Sequence, residues 1–94
     1  MNEKTSDIYK VAINALQAVS ADFGTDDATR AAANNEITAL RNKIQNAALD
    51  DIASRTANLQ DLSSRLSGVL QRARGGNVSG LQSLAQKEKS AIGV

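Results

Sequence analysis

Five groups of residues in this chain have types that elsewhere carry chemistry. Asp26-Asp27 and Asp50-Asp51 are adjacent carboxylates, the residue type of hard-metal ligands and general acid–base pairs. Asp22-Phe23-Gly24 spells the metal-binding tripeptide of protein kinases. Gly75, Gly76 and Gly80 would suit a phosphate cradle. Arg65, Arg72, Arg74, Lys87 and Lys89 are cations that could meet phosphates or another acidic partner.

The surrounding residues argue against four of these chemistries. Adjacent positions on a helix point about 100° apart, so neither aspartate pair converges on one ion. Calcium loops alternate ligands around a central glycine, and neither stretch does so. Both pairs suit helix N-termini instead, where carboxylates accept from free amides and face the positive end of the dipole. A kinase also needs a catalytic-loop His-Arg-Asp, and the chain has no His. Asp22-Phe23-Gly24 therefore reads as a helix end with a buried Phe and a glycine stop. A phosphate loop needs Gly-Lys-Ser/Thr between a strand and a helix, whereas no Lys follows these glycines and no strand pattern precedes them. With no His and no Cys, the commonest general base, the commonest transition-metal ligand and the thiol nucleophile are all missing. The expectation is a non-catalytic protein with no cofactor and no metal.

The basic residues are too sparse, and the aromatics too few, for a base-stacking surface. Tyr9 and Phe23 are the complete set. Charge is nonetheless uneven. Residues 1–24 carry net −1, residues 25–51 net −2 and residues 52–94 net +4, so the C-terminal half is the side to meet an acidic partner. A different surface stands out at Asn35, Thr38, Asn42, Gln45 and Asn46. A solvated helix face ordinarily carries Glu and Lys, which propagate helix better than Asn. Uncharged amides suit a surface that becomes covered, since they can hydrogen-bond there without burying charge.

The elements that hold these groups are helical. Ala contributes 16 of 94 residues and favours helix strongly, while Leu, Ile, Val and Phe together contribute only 21. Burial at about 25 cal/mol per Å² must offset about 1–2 kcal/mol of ordering per residue, so a chain with so few large apolar side chains is marginal alone. Association completes such a core. There is no apolar leader at the start and no apolar run long enough to span a bilayer, which makes cytoplasm the default compartment, with export by a route lacking a cleavable signal equally compatible.

The first helix is expected over about 7–23, capped by Thr5 or Ser6 and stopped by Gly24. Its apolar face is Ile8, Val11, Ala12, Ala15, Leu16, Val19 and Phe23, with Ile13 either widening that face or touching a second partner. Asp26 or Thr25 opens the next helix, and Asp26–Arg30 has the favourable i,i+4 order. Ala33, Ile37, Leu40, Ile44 and Ala47 then keep a coiled-coil rhythm. The rhythm slips by one residue before Ile52, Leu59, Leu62, Leu66, Val69 and Ala73. One long helix over 26–74 that absorbs the slip is preferred, and a new helix capped by Asp50 or Asp51 is the alternative. Arg72, Arg74 and the glycines end this region. Ser79 with Gln82 forms a capping box for a last helix over about 80–92, the weakest element, with Leu81, Leu84, Ala85 and Ile92 on its apolar face.

The expected architecture is a single all-α domain, either a three- or four-helix antiparallel bundle or an elongated coiled-coil hairpin with one long central helix. The expected function is a helical protein–protein interaction or self-assembly module. Its packing seam is Ile37, Leu40, Ile44, Ile52, Leu59, Leu62, Leu66 and Val69, and its partner is another copy or another protein. A small nucleic-acid-associated protein using Arg65, Arg72, Arg74, Lys87 and Lys89 is the alternative. A secreted or filament-forming helical component fits the Ala/Ser/Asn/Gln-rich composition as well.

Overall fold

The computed structural model describes residues 4–73 and 78–92. The described residues form an all-α bundle of four helices: α1 (Thr5–Ala21), α2 (Asp27–Asn46), α3 (Arg55–Arg72) and α4 (Ser79–Ile92). A single 3₁₀ turn, Ile52–Ser54, leads into α3. The start of α1 lies beside the α2–α3 connection, where Ser6 bonds Asp50, and the start of α2 lies beside the end of α3, where the Thr29 hydroxyl donates to the Arg72 carbonyl at 2.6 Å. Helices α1, α2 and α3 therefore alternate in direction. Helix α4 packs chiefly on α3.

The preferred long helix over 26–74 is not formed. Helix α2 ends at Asn46, and Ala47 leaves it with an extended backbone. Leu49 is then drawn into the core. Asp51 accepts from the Ala53 amide at 3.3 Å and starts the 3₁₀ turn. This is the break that the slipped apolar frame allowed, and it accounts for the slip: the two registers belong to two helices. Asp50 has a different task. Its carboxylate accepts from the Ser6 amide at 3.0 Å and the Ser6 hydroxyl at 2.9 Å, so it caps the N-terminus of α1 from 44 residues away. Neither Thr5 nor Ser6 is the N-cap of α1; that position is Lys4, which makes no side-chain cap bond. The bonds from Ser6 hold the Asp50 carboxyl below the ordinary carboxylate range.

The α1–α2 turn also departs from expectation. Helix α1 stops at Ala21, not Phe23. The buried Thr25 hydroxyl donates to the Val19 carbonyl at 2.7 Å, and the Arg30 guanidinium donates to the carbonyls of Ser20, Asp22 and Thr25 at 2.9–3.1 Å. The bonds to Val19 and Ser20 serve carbonyls of the last turn of α1, and those to Asp22 and Thr25 tie down the turn that follows. Phe23 is left at the apex, 102% exposed, so the buried phenylalanine expected there is corrected. Asp26 is the N-cap of α2 as expected, accepting from the Thr29 amide at 3.1 Å. Arg30 forms an ion pair with Asp27 at 3.2 Å.

The core collects Ile8, Tyr9, Ala12, Ile13, Leu16 and Val19 of α1 with Ala33, Ile37 and Leu40 of α2. Leu59, Leu62, Leu66 and Val69 of α3 and Leu81 and Leu84 of α4 complete it. The buried face of α1 is turned toward Tyr9 and Ile13, leaving Val11 51% exposed, because α1 touches α2, α3 and α4 and needs a wide stripe. Ala85 and Ile92 lie on α4 with side chains outside the described ones, and the Gly75–Gly76 connector is outside the described residues altogether.

Candidate functional site

The seam expected to meet a partner is mostly spent inside the chain. Ile37, Leu40, Leu59, Leu62, Leu66 and Val69 are buried in the bundle core, and Ile44 is half-buried against it. Ile52 is the exception. It sits in the 3₁₀ turn, 90% exposed, because the chain break turns it out of both helical stripes.

The basic group is divided as well. Arg65 is engaged at 3.0 Å with Asp61 and at 3.2 Å with Glu36. Arg72 is exposed at the end of α3. Arg74 and the side chains of Lys87 and Lys89 lie outside the described residues. The structure thus gives no convergence of these five cations among the described side chains.

Arg65 belongs to a polar network that the sequence reading missed. Asp61 Oδ2 accepts from Lys43 Nζ at 2.8 Å and from Arg65 Nε at 3.0 Å. Lys43 also donates to the Tyr9 hydroxyl at 3.4 Å and lies 5.8 Å from the ring centroid. The Tyr9 hydroxyl donates to the Asn58 carbonyl at 2.8 Å. One carboxylate therefore ties α2 to α3, and one phenol ties α1 to both. Burial alone would raise the Asp61 carboxyl, but the bonds from Lys43 and Arg65 outweigh it and hold the group below its ordinary value. Burial raises the Tyr9 phenol, against the pull of the Lys43 charge. The Lys43 amine is raised too, because bonding to Asp61 and Tyr9 exceeds the effect of its own burial. Asp61–Arg65 was visible as an i,i+4 pair, and Tyr9 recurs with Ala12, Ile13 and Leu16 at helical spacing. Each of these groups is matched to a partner within the chain, which is the arrangement of a structural clasp.

The surface with no such role is the outer face of α2. Ala28, Ala31, Asn35, Thr38, Asn42 and Gln45 are all exposed and follow one another at alternating steps of three and four. On a helix this spacing makes one straight stripe, and it lies opposite the buried Thr29, Ala33, Ile37 and Leu40. Not one of the six carries charge. The amide stripe noted from sequence is thus extended by two alanines toward the start of α2. Asn46, also exposed, continues the stripe one step beyond Asn42, and it and Thr38 each bond their own helix, at the Asn42 carbonyl at 3.0 Å and the Asn34 carbonyl at 3.2 Å. Between α2 and α3 the small side chains of Ala28, Ala31, Ala32 and Gly68 leave a groove of about 400 Å³, bounded by Asn35 and Arg65. A Cβ added at Gly68 would meet nothing within 4 Å.

Among the described residues, no three His, Cys, Asp or Glu side chains gather as a metal site requires. No helix among them is long and apolar enough to cross a membrane. No known protein family, curated protein or solved structure matches the chain.

Proposed function

We propose that the protein is a non-catalytic helical interaction module that works by covering the outer face of α2 with another protein chain. The observation that carries this reading is the uncharged exposed stripe from Ala28 to Gln45 on a helix whose apolar face is already buried. A surface designed only for water would gain helix stability and solubility from Glu and Lys at these positions. Asn, Gln and Thr forgo that gain and offer hydrogen bonds that survive burial without desolvating an ion. The fully exposed Phe23 and Ile52 add apolar anchors at the two ends of the bundle.

The nucleic-acid reading draws less support. Arg65 is occupied by Asp61 and Glu36, and both carboxylates would repel a phosphate approaching that site.

A photo-crosslinking residue placed at Thr38 tests the proposal in cells of the source, with the same residue at Gln60 on the exposed side of α3 as the control. A discrete adduct at position 38 that is absent at position 60 is the expected result. No adduct at 38, or the same pattern at both positions, overturns the module.

A further inference from the structure

The α2 stripe carries one more pattern: its flanking charges complement themselves. Asp27 and Arg41 lie on the same edge of the stripe, four helical turns or about 21 Å apart, with Asn35 close to their midpoint. Both are exposed, the Asp27 side chain fully so although one of its oxygens pairs with Arg30 at 3.2 Å, and Arg41 makes no hydrogen bond or ion pair with any described residue.

Resting on the interaction-module reading, the geometry points to a second copy of this chain as the occupant of the face, with α2 packed antiparallel against α2 of its partner about a two-fold axis beside Asn35. A two-fold perpendicular to two antiparallel helices keeps each edge on its own side and reverses direction along the axis. Asp27 of one copy then falls at the level of Arg41 of the other, and the symmetry makes that ion pair twice. With the axis level with the Asn34–Asn35 bond, Ala31 faces Thr38, Ala28 lies within one residue of Asn42 as Asp27 does of Arg41, and the two Asn35 amides come close to the axis, where each can donate to the other. Small residues at these layers permit close approach of the helix axes, and uncharged amides leave no ion buried between them. A parallel two-fold would instead carry the second copy's Asp27 and Arg41 to the opposite edge and leave them 14 residues apart along the axis, so it makes neither ion pair and the charges select direction as well as partner. Arg41, unpaired among the described residues, acquires a partner.

The chain has no Cys, which makes the contact directly readable. In sedimentation equilibrium the intact chain is expected to dimerise. Arg41→Asp sets two like-charge contacts in place of two ion pairs and is expected to weaken the dimer roughly ten-fold or more. The double variant Asp27→Arg with Arg41→Asp restores opposite charges and is expected to recover most of that loss, with circular dichroism confirming an unchanged helical fold in each. Asn35→Cys is expected to form a disulfide-linked dimer under mild oxidation well ahead of Gln60→Cys. A chain monomeric up to millimolar concentration overturns the inference. So does a dimer indifferent to both charge changes and without preference for cross-linking at position 35. If position 38 crosslinks a different protein while the chain stays monomeric, the self-pairing falls and the module stands; if position 38 crosslinks nothing, both fall.

Discussion

At the scale of single residues, Asp61 links two elements through one atom, because one oxygen joins Lys43 to Arg65 and so α2 to α3. Its lowered carboxyl has a definite consequence. A group whose pKa is depressed in the folded state contributes stability above its unfolded value and loses it as pH falls through the folded one. Asp50, bonded to Ser6, acts in the same direction. Tyr9 and Lys43, both raised, behave oppositely: their contribution is complete at neutral pH and is lost as pH climbs beyond about 10. Urea unfolding across pH should therefore show a plateau with falling limbs on both sides. Asp61→Asn should cost about 1 kcal/mol near neutrality, a value kept small because the partners are about one-third exposed, and should flatten the acid limb. An acid limb identical in the variant would show that the network has no energetic role. Asp61–Arg65 was legible as sequence; the third and fourth members were not, since Lys43 and Tyr9 come from other helices and only folding brings them together.

At the scale of elements, the end of α2 is where local rules leave two answers. Nothing in Ala47-Ala48-Leu49-Asp50-Asp51 forbids a helix, and the slip in apolar register could be absorbed by winding. The break is decided by tertiary partners: the core takes Leu49, and the α1 N-terminus takes Asp50. That separates two apolar residues which had looked equivalent. Leu62→Ala should cost about 2–5 kcal/mol by opening a cavity in the fully buried part of α3. Ile52→Ser should leave thermal stability within about 0.5 kcal/mol, because the side chain is already in water. Equal losses at the two positions would mean that α2 and α3 are continuous after all. Gly68 offers a change of opposite sign. It lies inside α3 with open space where a Cβ would go, so Gly68→Ala should stabilise the bundle by roughly 0.5–1 kcal/mol through helix propensity alone. A lower unfolding midpoint in the alanine variant would reveal a contact at that groove that the isolated chain lacks.

For the whole molecule, the balance is between a short chain and few large apolar side chains. The four helices close a core with those residues, but the core is small, and domains of this length bury a modest share of their surface. Binding that requires the folded form stabilises it by mass action. If α2 pairs with a second copy, the melting temperature rises with protein concentration, and each kcal/mol gained moves it by roughly 4–8 °C in a domain of this size. Calorimetry over a hundred-fold concentration range would show this. A midpoint constant over that range would mean that the single chain melts unaided by a second copy.

Several properties were settled by the order of residues alone. Alanine content, the three- and four-residue apolar steps and the Asp26 cap commit the chain to helices, because these preferences act within one or two turns and need no distant partner. Of the apolar positions of the expected seam, Ile37, Leu40, Leu59, Leu62, Leu66 and Val69 are buried within the chain, Ile44 is half-buried and Ile52 is exposed. What the tertiary structure decided were the choices in which local preference is balanced. It ended α1 before Phe23 by supplying Thr25 and Arg30 to its carbonyls, and it used Asp50 to cap a helix 44 residues earlier. It also turned the amides of α2 outward by burying the opposite face. Each of those outcomes depends on a contact between elements, and spacing within one element does not contain it.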